Sequence, residues 1–343
     1  LVINSLRIEG FRNQIESNFL FCEKKNLIFG LNGSGKTSIL EAIFILGFGK
    51  SFLNVKKSEI VNSNSSEFKL NMNLKNTYGE NDLMGFFNKN KFSLFLNSKK
   101  LNIFEINKYL YPVYFSSSNY NLYIDSKTLL RRLINNYIFG VNSLYIHYIL
   151  SYNKTIRQKN YLLKTKQDLL EISSWNKIIS ELGLKIVNIR TEFIKKLNFK
   201  IRENFCNDLY IEYKPSFKND IEHSEESFFE KLEDLKEFEI NYRKSLIGPH
   251  LDIFNIVLKG KNLRFYSSGE KKIFLLMVYI SFIKLFKEIR NEYPVFLVDD
   301  FDIAIDNKNV DFLLNNYPEM QVIATSVNNN LRFDHIVEIK KEN

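Results

Sequence analysis

The run Gly30-Leu31-Asn32-Gly33-Ser34-Gly35-Lys36-Thr37-Ser38 combines three glycines with a lysine and two following hydroxyls. Within it, Gly30-x4-Gly35-Lys36-Thr37 is a complete Walker A pattern. Glycines let successive backbone N–H groups wrap phosphate oxygens at close range, and the start of the following helix adds its own partial positive charge. Lys36 has the reach for β- and γ-phosphates, and the Thr37 hydroxyl suits Mg²⁺. The expected ligand is a nucleoside triphosphate, ATP with Mg²⁺, cradled by Gly30 and Asn32 through Ser38. A chance glycine turn before a helix is the competing reading, and the strand that precedes the loop weakens it.

A second group carries carboxylates. Val295-Phe296-Leu297-Val298 is an apolar run ending in Asp299-Asp300 and fits a Walker B segment. A buried strand delivers such groups at its C-terminal end, where ligand sites of α/β sheets lie. Asp299 is expected to hold the Mg²⁺, directly or through water. Asp300 is expected to orient or deprotonate the attacking water, acting with Lys36 as the catalytic pair. Alone, such a strand reads as one that exits into an acidic turn; beside a Walker A loop the functional reading prevails. Tyr266-Ser267-Ser268-Gly269-Glu270 precedes a long helical pattern. Small hydroxyl residues there make either an ordinary helix cap or an anion site. The order along the chain, with S-x-G-[EQ] between the two other motifs, is that of ABC-type ATPases.

These residues need elements to position them. Val2 to Ile8 alternates as a strand does, and Phe11-Arg12-Asn13 reads as a turn. Asn26 to Phe29 is a short apolar strand running into the glycine loop, and Ser38 to Leu46 follows with helical spacing. Residues 66–115 hold short alternating runs with turn signals between them, which predicts an antiparallel sheet. Helical patterns dominate from about 121 to 206. After about 236 an α/β pattern returns, with a helix over Lys272–Lys287 and strands at 295–298 and 321–325. The simplest arrangement is an α/β domain built from residues 1–120 and 236–343, with a mostly helical lobe, 121–235, inserted.

Bulk properties narrow the partners. Net charge is +9 over 343 residues, compatible with a nucleic-acid partner. The excess is local: residues 121–202 carry 15 Lys and Arg against 5 Asp and Glu, and residues 203–235 carry 3 against 10. Lys154, Arg157, Lys159, Lys164 and Lys166 fall at roughly helical spacing around Tyr161. Such a stripe either neutralises phosphates without reading sequence or is a solvated helix face. The acidic run Glu222 to Asp234 reads as a solvated face or loop. Cys22 and Cys206 form no disulfide framework, and the four His have no metal-ligand spacing, so a reducing cytoplasmic setting is expected. Residues 1–9 already alternate, so no targeting segment is expected at the opening. The most apolar run, Ile273 to Phe286, contains Lys284 and is too short to cross a bilayer.

Five segments give the chain a resemblance to the RecF family of bacterial recombination-mediator ATPases, which are related to SMC heads. They are Ile8-Glu9-Gly10-Phe11-Arg12-Asn13; Gly30 to Phe52; Leu129-Leu130-Arg131-Arg132; Tyr152 to Lys185; and Ile247-Gly248-Pro249-His250-Leu251-Asp252 with the motifs that follow it. The resemblance spans nearly the whole chain. It implies an ABC/SMC-like P-loop ATPase head, with a mixed sheet, an antiparallel sheet and the inserted lobe. It also implies an ATP-sandwich homodimer in which Ser267, Ser268 and Gly269 of one subunit meet the γ-phosphate held on Lys36 of the other. Asp306 sits at the D-loop position, Thr325-Ser326 at the switch position, and Arg12 and Asn13 near the base of the nucleotide. The dimer would close on double-stranded DNA near single-strand gaps, hydrolyse ATP slowly with DNA stimulation, and cooperate with RecO and RecR. The resemblance favours the DNA reading of the basic stripe. His250 stays open between a nucleotide or interface residue and a capped loop residue.

The chain departs from the family at three places. Ser268 stands where an Arg is usual, Leu251 likewise, and Ser116-Ser117-Ser118-Asn119 replaces Ser-Pro-Glu-Asp. The last weakens the expectation of a Q-loop-like metal contact. Together they raise the alternative of a nucleotide-dependent DNA clamp with little hydrolysis. A transporter nucleotide-binding subunit would need a Leu-Ser-Gly-Gly-Gln-type signature and a His switch, which are absent here. A chromosome-structuring SMC would need a much longer insertion.

Overall fold

The computed structural model describes residues 1–165, 168–217, 224–301, 317–328 and 333–339. In chain order its elements begin with β1 (Val2–Phe11), β2 (Gln14–Leu20), β3 (Lys25–Phe29), α1 (Lys36–Phe48), β4 (Phe68–Asn76), β5 (Gly79–Asn88), β6 (Lys91–Leu96) and β7 (Lys99–Leu101). Next come α2 (Ile103–Ile106), β8 (Pro112–Ser116), α3 (Tyr120–Asp125), α4 (Lys127–Val141), α5 (Leu144–Thr165), α6 (Leu169–Asn204) and β9 (Leu209–Lys214). The last are α7 (Glu225–Asp234), α8 (Lys236–Tyr242), β10 (Ile253–Leu258), β11 (Lys261–Asn262), α9 (Ser268–Arg290), β12 (Val295–Asp299), β13 (Val322–Ser326) and β14 (His335–Glu338). They form two compact units, Leu1–Asn121 with Ser268–Asn343, and Leu122–Ser267. No described helix is long and apolar enough to cross a membrane.

Among the described residues, the first unit holds a six-stranded sheet, β2-β1-β4-β5-β6-β7, and a five-stranded sheet, β14-β3-β13-β12-β8. The first is antiparallel, as the alternation over 66–96 predicts; the second is parallel. Residues 112–116 depart from the expected antiparallel sheet, because β8 pairs parallel with β12. All of β8 is buried, and a strand covered on both faces reads as a continuous apolar run rather than an alternating one. Helix α1 is apolar nearly all round, from Ile39 to Leu46, which suits a helix covered on every side. Its residues share one core with Leu6 and Ile8 of β1, Leu70 and Met72 of β4, and Leu297 and Ile323 of the parallel sheet. Gln321 ties the two sheets together. It is fully buried; its Oε1 accepts from Ile3 N–H at 2.7 Å and its Nε2 donates to the carbonyls of Ile3 and Cys22 at 2.8 and 2.9 Å.

The second unit extends to Ser267 rather than ending at 235. The reason is pairing: β10 runs antiparallel along β9, with Phe254 opposite Tyr213 and Ile256 opposite Ile211, and β11 closes the hairpin. A buried knot holds this sheet to the helices. Arg190, 1% exposed, donates to Asp252 Oδ2 at 2.6 Å, to the Pro249 carbonyl at 2.7 Å and to the Tyr145 hydroxyl at 2.9 Å. Asp252 also accepts from the Tyr213 hydroxyl at 2.6 Å and from Ser216 N–H at 2.8 Å. Arg131 donates to the Asp252 carbonyl at 2.8 Å. His250 Nδ1 lies 2.8 Å from the Tyr152 hydroxyl. Leu130, Arg131, Gly248, Pro249 and Asp252 of these segments thus pack into or bond the interior of this unit, while Arg132 and Leu251 are exposed.

One expectation about charge changes here and one holds. Lys159 is not part of a solvent-facing stripe: it is fully buried, 2.5 Å from the equally buried Glu239. Lys154, Arg157, Tyr161 and Lys164 are exposed, and Lys166 lies outside the described residues. The acidic run is helical from Glu225; Phe228 and Leu232 are buried, and Glu233 accepts from Ser173, Asn176 and Lys236.

Burial pushes His250 from an ordinary 6.5 down to about 4. As pH falls the unfolded chain takes this proton first, so the contribution is complete above about 6.5 and is lost toward 4. Urea unfolding at pH 7 and pH 4.5 should show a loss of up to about 3 kcal/mol from this group. The His250→Gln variant should show a flatter pH dependence; an unchanged one would exclude His250 as the source.

Candidate functional site

The parallel sheet ends flush. Asp299 is level with Ser116, Thr325 with Ile28, and Ser326 with Phe29. At this edge β3 gives way to the glycine loop. Gly33 and Gly35 have φ of 81° and 96°, a region that glycine alone enters cheaply. A Cβ on Gly35 would stand 2.5 Å from Asn13 Oδ1 and 2.6 Å from Gln14 Nε2, so the loop passes tightly under the β1–β2 turn. Helix α1 starts at Lys36 with no side-chain cap and no acidic residue in its first turn. Its first N–H groups have no partner within the helix, which leaves an anion-seeking end. Lys36 is 6% exposed, and its Nζ donates to the carbonyls of Gly30 at 2.7 Å and Leu31 at 3.0 Å. Ser34 Oγ, in the same loop, is buried with no hydrogen-bond partner.

A pocket of about 370 Å³ opens over this loop. Asn32, Gly33, Gly35, Lys36, Thr37 and Ser38 form its floor, with Arg12 and Asn13 from the β1–β2 turn and Asp300 from beyond β12 as walls. Arg12 has a left-handed backbone, φ 55°, and its guanidinium grips Glu41 of α1 through Nε at 2.8 Å and Nη2 at 2.9 Å. Glu41 is buried and also accepts from the Ser51 hydroxyl. The turn is thereby fixed to the same helix whose N-terminus floors the pocket.

The carboxylates are held by hydroxyls. Asp299, 4% exposed, accepts at Oδ1 from Thr325 at 2.6 Å and Thr37 at 3.1 Å, and at Oδ2 from Tyr114 at 3.2 Å. Burial raises its pKa, with help from Asp300; the donors Thr325, Thr37 and Tyr114 pull the other way. The Thr37–Asp299 bond joins the glycine loop to the end of β12. Asp300 has φ 53°. Its N–H donates to Thr325 Oγ1 at 2.9 Å, its carbonyl accepts from Ser117 at 2.7 Å, and its Oδ2 accepts from Ser118 at 3.2 Å. No cluster of three or more His, Cys, Asp or Glu capable of holding a metal occurs among the described residues. One hydroxyl and one carboxylate of hard oxygen character fit Mg²⁺ completed by phosphate oxygens and water, rather than an all-protein cage.

The structure thus gathers Arg12, Asn13, Asn32, Gly33, Gly35, Lys36, Thr37, Ser38 and Asp300 at one pocket, with Gly30 and Ser34 in its loop and Asp299 behind Thr37. Ser268 and Gly269 are exposed at the start of α9 and do not line that pocket; Ser267, also exposed, precedes them. Asp306 lies outside the described residues. Sequence reasoning missed Tyr114, Glu41 and the grip of Ser117 and Ser118. The serines were visible only as an unusual segment, and Tyr114 gave no signal, since an aromatic in a buried strand reads as core.

The chain matches the model of the RecF/RecN/SMC N terminal domain over residues 2–342. It is 28% identical to the DNA replication and repair protein RecF of Acetivibrio thermocellus, over 96% of this chain and 94% of that protein. The protein of the same name in Ruminiclostridium cellulolyticum is 27% identical over 96% and 93%. A solved structure of the recombination mediator protein RecF with ATP, in the RecFOR pathway, superimposes with a TM-score of 0.91 at 25% identity, covering 99% of this chain and 96% of that one. An SMC head bound to the C-winged helix domain of ScpA, 16% identical, shares the fold with a TM-score of 0.56 over 98% and 94%.

The raised pKa of Asp299 carries a stability consequence. A carboxyl whose folded pKa is raised contributes most below its unfolded value, ordinarily 3.8, and loses that contribution as pH rises through the folded value. At neutral pH the ionised group is a cost, so Asp299→Asn should raise Tm of the ligand-free protein at pH 7.5 by about 2–4 °C. The gain should vanish near pH 4. A lower Tm at pH 7.5, read by differential scanning calorimetry, would contradict this.

Proposed function

We propose that this chain, which belongs to the RecF/RecN/SMC N terminal domain family, is a RecF-type DNA replication and repair ATPase. One observation carries the nucleotide reading: the Thr37–Asp299 hydrogen bond of 3.1 Å couples the glycine loop to the end of β12 beside a pocket walled by Asp300. The curated RecF relatives and the RecF–ATP structure, alike over nearly the whole length, support it.

In this reading the glycine loop and the start of α1 take the triphosphate, Lys36 reaches its β- and γ-oxygens, and Arg12 and Asn13 stand near the base. Thr37 and Asp299 would hold Mg²⁺, which would supply positive charge to offset that of the phosphates. Asp300 orients a water whose oxygen attacks the γ-phosphorus. The bond from that phosphorus to the β-bridging oxygen breaks, ADP leaves, and the water proton passes through Asp300 to solvent. A second copy of the chain supplies Ser267, Ser268 and Gly269 to the γ-phosphate, and Asp306 belongs to the same contact. The ATP-bound homodimer closes on double-stranded DNA near single-strand gaps, with Lys154, Arg157 and Lys164 among the exposed cations available to phosphates. RecO and RecR are the partners in recombination.

A second reading, a nucleotide-dependent DNA clamp with little hydrolysis, is favoured by the departures at Ser268, Leu251 and Ser116-Ser117-Ser118-Asn119. ATP binding should persist in the monomer and fall by a factor of about 100 or more in Lys36→Ala. Asp300→Asn should keep binding and dimerisation while turnover drops at least about tenfold. Native mass and DNA affinity with and without ATP, at about 50 and 200 mM salt, complete the test, with affinity falling at the higher salt. Equal background turnover in the native chain and Asp300→Asn would leave only the clamp reading. Absence of ATP-dependent dimers and of ATP-dependent DNA binding would end both.

A further inference from the structure

We infer that Ser117 and Ser118, at the end of β8, are positioning residues for Asp300; the inference rests on the hydrolytic reading of the site. Asp300 keeps a left-handed backbone, φ 53°, a region uncommon for non-glycine residues though easier for Asp than for most, and its surroundings hold it there. Those surroundings are visible. Ser117 is 1% exposed. Its hydroxyl lies 2.7 Å from the Asp300 carbonyl oxygen and 3.1 Å from that of Asp299, and its N–H donates to Asp299 O at 3.3 Å. With the Asp300 N–H held by Thr325 at 2.9 Å, the backbone on both sides of Asp300 is clamped.

The side chain is aimed separately. Ser118 donates to Asp300 Oδ2 at 3.2 Å. Its oxygen lies 3.0 Å from Ser116 Oγ, which in turn accepts from Asn119 N–H at 3.3 Å. A run of hydroxyls of this kind polarises along its length and strengthens its final bond. With Oδ2 so engaged, Oδ1 is the oxygen left to take a proton from water. The preceding strand β8 carries Tyr114, whose hydroxyl reaches Asp299 Oδ2 at 3.2 Å. The edge strand β8 and the turn that follows it therefore set the aim of both carboxylates.

The test is steady-state ATP turnover by the full chain with duplex DNA, alongside ATP affinity measured by titration. Ser118→Ala should lower kcat about three- to tenfold and leave the Kd for ATP within about twofold. Ser118→Thr should restore kcat. In an Asp300→Asn background, Ser118→Ala should cost nothing further, because its effect passes through the missing carboxylate. Ser117→Ala should lower kcat at least as much; should it fail to fold, the Ser118 series decides alone. Asp300-dependent turnover that Ser118→Ala leaves unchanged overturns the positioning role and spares the ATPase reading. Turnover that does not depend on Asp300 in the native chain overturns both.

Discussion

Asp299 is a carboxylate buried almost completely at the end of a parallel strand, and its burial constrains everything around it. An ionised group in that position is tolerable only if its oxygens are satisfied. Three hydroxyls satisfy them, and each comes from a different element: Thr37 from α1, Thr325 from β13, and Tyr114 from β8. Those donors meet only because the parallel strands end in register, and the register is held from the far end. There Gln321 anchors the start of β13 to β1, while Lys25 Nζ donates to the carbonyls of Tyr317 and Met320 at 2.6 and 3.0 Å. Burial drops that lysine to about 8, so its charge too is retained at a cost for the sake of the sheet. Local chemistry at one edge thus depends on alignment set at the other.

What the sequence disclosed follows from which demands are local. The glycine loop was legible because positive φ at Gly33 and Gly35 is a demand on residue type at fixed spacing. Asp299-Asp300 was legible only beside the glycine loop, because an apolar run ending in acids reads by itself as a strand exiting into an acidic turn. The placement of β8 was not, since its apolar run of Pro112 to Phe115 carries no mark of which sheet it joins; only pairing with β12 decides that. Helical spacing put Lys159 on a basic face, but the partner that turned it inward, Glu239, lies on another helix far along the chain. The limit of the second unit at Ser267 rather than 235 has the same origin, because β9 and β10 are strands that recognise each other across two helices. The contact expected of Ser267, Ser268 and Gly269 belongs to a second copy, which no single chain contains.

The second unit changes how its distinctive segments are understood. Arg131, His250 and Asp252 stood out in segments that mark the family, and His250 was left open between a ligand and a loop role. Asp252 accepts from Arg190, Tyr213 and Ser216 at once, and Arg131 caps its carbonyl. Removing one member of such a network strands the others in a low-dielectric interior, so residues of this kind are retained for architecture. The excess of positive charge over 121–202 is correspondingly less available than a count suggests, because Arg190 and Lys159 are consumed within the unit.

The bonds Lys36 makes to Gly30 and Leu31 set the terms on which any ligand enters. The resting loop presents no bare ammonium; its cation is already chelated by the carbonyls of the loop that carries it. A newcomer must offer oxygens better than two amide carbonyls. Anionic phosphate oxygens do so, while water and neutral solutes do not. The loop therefore acts as a threshold as well as a cradle: it rejects weak acceptors by competition, before any shape or base is sensed.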